Sequence, residues 1–436
     1  MIRWPGLLRA SPPRGLSISR IVPAALWNFG ALSGAQVGAR LLNFVLIAGV
    51  ARVLGSEGAG GYATAVSVAL GFLLMTDLGL SPRLIREASA RPDMATRLYR
   101  EALGLKLLLM PLGLVAVGIA ALLLPYPAEV RQLLVLTGVA ALLQSLAQAN
   151  EAFLRSQEVM HWEALANLGQ SILTTGLAIG FLAGGLTLVW VGVARVVGAA
   201  GGLLLTSVVL RREIRPRLPS ASGWKELRDA LPYAATASMN LAYGQVDILL
   251  MSLIAPQALV GEYALVSRIV LVAGTFASTG AAALLPIMAR TFTSAARSVF
   301  RSRAWRLLLL ALLIGGLGAG LLAMGGGTIL TLAYGPDFEG LRRPFAFASG
   351  YVLLRFVTAA LGMELTAAGL QSARARCILL GLAATVVLVV GGVPIWGVAG
   401  AIAALVGSEL VLAGSLIFAA RSFLGAPDPT AAAPQA

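Results

Sequence analysis

Ser33-Gly-Ala-Gln36-Val-Gly-Ala-Arg40-Leu-Leu-Asn43 sits inside an apolar run, Leu26 to about Val50, that is long enough to cross a membrane. Its four polar residues fall at i, i+3, i+7 and i+10. At about 100° per residue they share a face roughly 80° wide. A plain anchor has no use for a polar stripe with an arginine at mid-depth; a helix that lines a wet cavity does. The hairpin Arg52-Val-Leu-Gly-Ser-Glu-Gly-Ala-Gly-Gly-Tyr62 follows, then a second apolar run that ends before Arg83 and Arg86.

Working outward, the same character recurs along all 436 residues. The chain is 58% hydrophobic and 12% charged, against about a quarter charged for a soluble domain. Apolar runs of about 20 residues repeat from end to end, each able to span roughly 30 Å of hydrocarbon. Strands of a β-barrel would alternate over about ten residues, and these runs do not. The fold class is therefore an all-α polytopic membrane protein.

A net charge of +14 invites a nucleic-acid reading, but the basic residues are not distributed for one. They cluster at Arg3 to Arg20, at Arg83 to Lys106, at Arg211 to Arg228 and at Arg290 to Arg306, with nearly base-free loops between. That alternation is the positive-inside pattern, and it also attracts anionic membrane lipids. No nucleic-acid partner is expected. Cys377 and His161 are the sole cysteine and histidine, so neither a disulfide nor a zinc site is expected. The glycine clusters, such as Gly198 to Gly202, read as helix-packing positions rather than phosphate-binding loops, and no cofactor is expected.

Spans are expected at about 26–50, 61–81, 103–124, 130–154, 164–185 and 187–210, then 231–254, 260–286, 304–332, 343–368, 374–394 and 396–420. Residues 1–25 read as a cytoplasmic tail, 26–210 as a first lobe, 211–230 as a cytoplasmic linker, 231–420 as a second lobe and 421–436 as a disordered tail. With the N-terminus inside, every large basic cluster falls on the cytoplasmic side, which predicts an N-in, C-in chain of about twelve helices. The outer loops are all short and leave no room for an enzyme site.

The two halves resemble each other. Gly60-Gly-Tyr62-Ala63 follows the first span, and Gly261-Glu-Tyr263-Ala264 follows the seventh. Span seven carries its own stripe, Thr236, Asn240, Tyr243 and Asp247, within about 60°. A six-plus-six repeat related by an axis along the membrane normal places substrate between its halves.

A charge at the bilayer centre costs roughly 2.5–3.5 kcal/mol on insertion scales, so each one needs a reason. Arg40, Arg268 and Asp247 lie on the first two spans of each repeat and are assigned to a central cavity, with a structural Arg–Asp pair as the alternative. Gln36, Asn43, Asn240, Tyr243 and Arg355 join the candidate substrate-binding set. Guanidinium stays charged and matches phosphate or carboxylate oxygens with forked donors. Asp247 would balance an arginine or take up a coupling ion. Arg195 lies near a span end and can partly snorkel. Asp77 and Glu151 read as end-of-helix charges, and Glu409 as either a buried pair or a functional group.

These features resemble the polysaccharide transporters, or oligosaccharide flippases, of the multidrug/oligosaccharidyl-lipid/polysaccharide exporter superfamily. The residues that carry the likeness are Ala51-Arg-Val-Leu-Gly55, Gly60-Gly-Tyr62-Ala63, Asp77-Leu-Gly-Leu80, Val246-Asp-Ile248, Gly261-Glu-Tyr263-Ala264, Leu285-Pro286 and Tyr334-Gly-Pro-Asp-Phe338. The resemblance implies a V-shaped pair of six-helix lobes that alternates between two openings. Its implied substrate is a polyprenyl-pyrophosphate-linked oligosaccharide, flipped outward across a bacterial inner membrane, with phosphate contacts at Arg40 and Arg268. It also implies a monomeric transport unit working beside a polysaccharide polymerase or glycosyltransferase machinery. The main rival is a cation-coupled drug or metabolite exporter of the multidrug and toxin extrusion type, whose cavities favour acids and aromatics. A membrane glycosyltransferase or polymerase would need an outer loop or an acid/base constellation, and neither is visible. A scaffold without transport would leave the paired stripes unexplained.

Overall fold

The computed structural model describes residues 18–217, 243–294 and 297–424. Its regular elements are α1 (Ile18–Asp77), α2 (Leu80–Ala90), α3 (Ala95–Leu123), α4 (Ala128–Ser156), α5 (Met160–Ala183) and α6 (Leu188–Val209). The chain continues with α7 (Tyr243–Ile254), α8 (Gln257–Ser294), α9 (Arg297–Tyr334), a 3₁₀ turn at Pro336–Leu341, α10 (Arg342–Ala348), α11 (Gly350–Ala367) and α12 (Gln371–Leu424). The tails, most of the linker and the start of span seven, including Thr236 and Asn240, lie outside the described residues.

Among the described residues nine helical segments are long and apolar enough to cross a membrane. Two of them each hold more than one crossing. α1 has 60 residues, about 90 Å if straight, and α12 has 54. Each is broken at one glycine in left-handed geometry, Gly55 (φ 66°) and Gly397 (φ 56°). A side chain is strained at such a φ and glycine is not. Around Gly397 the two pieces of α12 fold against each other so closely that a Cβ on Gly400 would stand 2.1 Å from the Gly392 carbonyl oxygen. The sequence suggested a loop over much of Arg52–Tyr62; the structure absorbs the break at Gly55 and stays helical on both sides.

The outer faces of these helices carry large apolar side chains that water would not tolerate in such number. Leu122, Leu123, Leu321, Met324 and Phe418 are all more than two-thirds exposed. On a membrane protein that surface is the lipid face.

Helices α1 to α6 pack mainly on one another, as do α8 to α12, and the two sets meet chiefly where α1 lies on α8. The repeat glycines make that contact possible. A Cβ on Gly60 would stand 1.8 Å from the Gln257 carbonyl oxygen, and one on Gly261 would stand 1.8 Å from that of Ser56. The two copies of the Gly-x-Tyr-Ala motif thus meet backbone to backbone.

Hydrogen bonds reinforce this end. Thr64 and Gln257 meet at 2.9 Å, Ser67 and Gln245 at 3.0 Å, and Tyr126 and Ser252 at 2.7 Å. Arg52 donates to the carbonyls of Leu332 and Ala333 in the last turn of α9, where a cation also suits the helix dipole. One large apolar core, with Leu46, Tyr62, Leu134, Val191, Tyr263, Val266, Tyr334 and Phe345, is shared by both halves here. Elsewhere each half keeps its own clusters, one around Tyr99 and Phe153, the others around Leu361 and Leu416 and around Met288 and Phe300.

The Asp77-Leu-Gly-Leu80 motif also has a physical reason. Leu78 and Gly79 both take positive φ, which ends α1 and starts the short helix α2. Asp77 is buried and pairs with Lys106 Nζ at 2.6 Å; the same ammonium donates to the Ser145 carbonyl at 2.6 Å and to Ser81 Oγ at 3.0 Å. Lys106 is 1% exposed, so it belongs to the packed interior and not to the cytoplasmic basic cluster in which the sequence pattern placed it. Asp77 likewise is a buried ion-pair partner that ties α1 to α3.

Candidate functional site

Helix α1 carries Arg40 and Asn43, and α8 carries Arg268 three residues from Leu271 and seven from Thr275. With those side chains, a cavity of about 420 Å³ is lined by residues of both halves. The first half supplies Arg40, Asn43, Gln144, Gln170, Thr174 and Arg195; the second supplies Gln245, Arg268 and Thr275. Three of the sequence-derived candidates, Arg40, Asn43 and Arg268, therefore come to one place.

Among the described residues the lining holds three guanidinium groups and no carboxylate. Neither Arg40, Arg195 nor Arg268 has an acid within ion-pair distance among those residues. Arg268 lies in electrostatic reach of Tyr62, Tyr334, Arg195 and Asp247. Amides and hydroxyls fill the spaces between the cations. Chemically the wall offers positive charge and hydrogen-bond donors that suit an anion with several oxygen atoms.

Arg195, whose place near a span end allows it partly to snorkel, lines the cavity as well. Its Nη1 donates to Tyr62 Oη at 2.8 Å, and its guanidinium carbon stands 5.8 Å over the centroid of the same ring. Its Nε is buried without a hydrogen-bond partner among the described residues. Tyr62 and Arg195 are 133 residues apart, so no local pattern could announce the pair. One signal was available: Tyr62 belongs to a repeated motif, and a buried phenol needs a partner.

The counterpart tyrosine behaves differently. Tyr263 Oη donates to a carboxylate oxygen of Asp247, and the Ile248 amide donates to the other at 2.8 Å. Asp247 is buried and stands off the cavity wall. The repeat thus holds an arginine by Tyr62 in one half and an aspartate by Tyr263 in the other.

The remaining candidates are elsewhere. Gln36 is exposed on α1 and does not line the cavity. Tyr243 and Arg355 line a separate cavity of about 240 Å³ within the second half. There Tyr243 Oη donates to Glu409 at 2.6 Å, Thr358 Oγ1 donates to the other carboxylate oxygen, and Arg355 Nη1 approaches it at 3.5 Å. Glu409 is thus a member of a buried interhelical cluster. Among the described residues no group of three or more His, Cys, Asp or Glu side chains is placed to hold a metal ion.

Comparison with known proteins agrees with this architecture. Residues 25–292 match the family model described as "Polysaccharide biosynthesis protein". No curated protein matches the chain. Among solved structures, a lipid II flippase, MurJ, in an inward closed conformation superposes with a TM-score of 0.74 at 12% identity, covering 89% of this chain and 87% of that one. An inward-facing multidrug resistance transporter of the MATE family superposes with a TM-score of 0.71 at 14% identity, covering 89% of this chain and 94% of that one. The multidrug transporter DinF-BH, solved with R6G, gives 0.63 at 16% identity, covering 95% and 99%. The chain is a multi-pass membrane protein of the polysaccharide biosynthesis protein family, and it shares the fold of the MATE and MurJ structures.

Proposed function

We propose that this protein is a flippase that moves a polyprenyl-pyrophosphate-linked oligosaccharide from the cytoplasmic to the outer leaflet of a bacterial inner membrane, for surface polysaccharide export. The observation that carries the reading is the cavity wall: three guanidinium groups, drawn from both halves, with no carboxylate among them. A pyrophosphate diester has two negative charges and many oxygens, and it suits that wall. A cationic drug does not, which turns the reading away from a drug exporter.

The reading assigns roles to the residues as follows. Arg40 and Arg268 reach the phosphates from opposite halves, with Asn43 between them, and Arg195 offers a third fork held in place by Tyr62. The glycan occupies the polar remainder of the cavity and the polyprenyl chain stays in lipid. Asp247 sits behind the wall and offsets Arg268 while the cavity is empty. The end that contains Gly55 is the outer face, closed in this state, and the N- and C-termini are cytoplasmic. Alternating access then requires the α1–α8 contact to open while the opposite end closes. A single chain is the transport unit, and a polymerase or glycosyltransferase machinery supplies and receives its cargo.

The test is export in cells. Arg40→Ala and Arg268→Ala each abolish appearance of the surface glycan while the protein level in the membrane stays normal. Full export in both variants would sink the assignment.

A further inference from the structure

The second cavity is not explained by transport through the first. It opens within the second half of the chain, between α7, α8, α11 and α12. Two arginines line it, Arg355 from the second turn of α11 and Arg374 from the first turn of α12. Among the described residues Glu409 is the one carboxylate within ion-pair distance of either.

Glu409 does not neutralise both. Its carboxylate accepts from Tyr243 and Thr358, and Arg355 stands off at 3.5 Å, well beyond the roughly 2.7–2.9 Å of a charge-assisted bond. Arg374 donates one Nη to Thr366 Oγ1 at 2.8 Å. It also stands near the N-terminus of a long helix, where the backbone dipole disfavours a cation and favours an anion. A purely structural pair would place the arginine fork on the carboxylate. Instead two guanidinium groups face one cavity with a single carboxylate already engaged by two hydroxyls. The rest of the wall is divided between hydroxyls, with Ser278 and Thr366, and an apolar floor with Leu285, Met363, Ile378 and Leu416.

We propose that this second cavity is an anion site distinct from the first, and that it holds the phosphate group of an amphiphile. Arg355 and Arg374 take the phosphate oxygens, and the apolar floor takes the start of the hydrocarbon chain. The site stands on its own geometry and does not depend on the flippase reading.

Native mass spectrometry of the detergent-solubilised full chain tests it, with dodecyl phosphate and inorganic phosphate as probes. The wild-type protein takes up two equivalents of dodecyl phosphate, and Arg374→Gln retains one. In an Arg40→Gln/Arg268→Gln background, which removes two of the first cavity's three guanidinium groups and weakens binding there, one tight equivalent remains. Adding Arg374→Gln there weakens it at least about tenfold, the loss expected for one charge-assisted contact. Arg374→Lys, which keeps the charge, recovers most of the binding. Inorganic phosphate binds more weakly than dodecyl phosphate by about tenfold or more, because it leaves the apolar floor empty. Uptake unaffected by Arg374→Gln, or a folded Arg40→Gln/Arg268→Gln protein that binds no dodecyl phosphate, would overturn the proposal. Equal affinity for the two probes would overturn the amphiphile. Normal glycan export by that double variant would refute the flippase reading and leave this equivalent in place.

Discussion

Replacing Gly261 by alanine asks whether the contact between the halves is a gate. The new Cβ would stand 1.8 Å from the Ser56 carbonyl oxygen, and real Cβ atoms essentially never come closer than 3.0 Å. The obstacle is backbone, which cannot rotate away, so α1 and α8 must part by about 1.2 Å. Overpacking of this kind costs roughly 1–3 kcal/mol. Alanine also favours a helix over glycine by about 1 kcal/mol, but α8 is helical in either state, so that gain cancels from the gating equilibrium. The net effect is a shift toward the open outer face of roughly 5- to 150-fold. The assay is labelling of Ser67→Cys, in a Cys377→Ser background, by an impermeant maleimide added outside intact cells. Ser67 is buried and bonded to Gln245 in this structure, so its labelling rate reports parting of the halves. Gly261→Ala should accelerate labelling at least about fivefold. An unchanged rate, with the protein folded and inserted, would refute the view that this crossing separates the two states.

Other expectations follow from the buried polar groups. Lys106→Met leaves the Asp77 carboxylate buried without its partner and should destabilise the protein by about 3–5 kcal/mol, read as a lower unfolding midpoint in detergent. Lys106→Met with Asp77→Leu should regain most of that loss, since neither charge is then stranded. Tyr62→Phe removes the 2.8 Å bond that positions Arg195 and should lower apparent substrate affinity by about 3- to 10-fold with the fold intact. Transport assays across a range of substrate concentrations would show this as a change in half-saturation rather than in maximal rate.

How far the sequence could be read depends on the distance over which a signal acts. The polar stripe of α1 is local and points to Arg40 and Asn43, and the mid-span arginine of α8 is equally local; the described members of the span-seven stripe, Tyr243 and Asp247, lie off the cavity that those residues line. Lys106 shows the limit. Its position beside Arg97 and Arg100 matches a cytoplasmic cluster, and only the fold reveals Asp77, Ser81 and Ser145 converging on its ammonium. Arg195 shows the same limit, because depth along a helix says nothing of a tyrosine on another. Arg355 has a polar face that suits a central cavity, yet α11 turns it toward α7 and α12, where Glu409 lies.

The division of the apolar core has a mechanical consequence. Both halves share one core at the Gly55 end and hold separate clusters beyond it, so in the proposed alternating-access cycle each half tilts about that shared core. Across about 30 Å of hydrocarbon, a rotation of roughly 10° displaces the far tip by about 5 Å. On the flippase reading, a tilt that parts the glycine crossing narrows the opposite mouth, and the longer arm makes that second movement the larger. Two glycines without side chains set how closely the halves meet at that core.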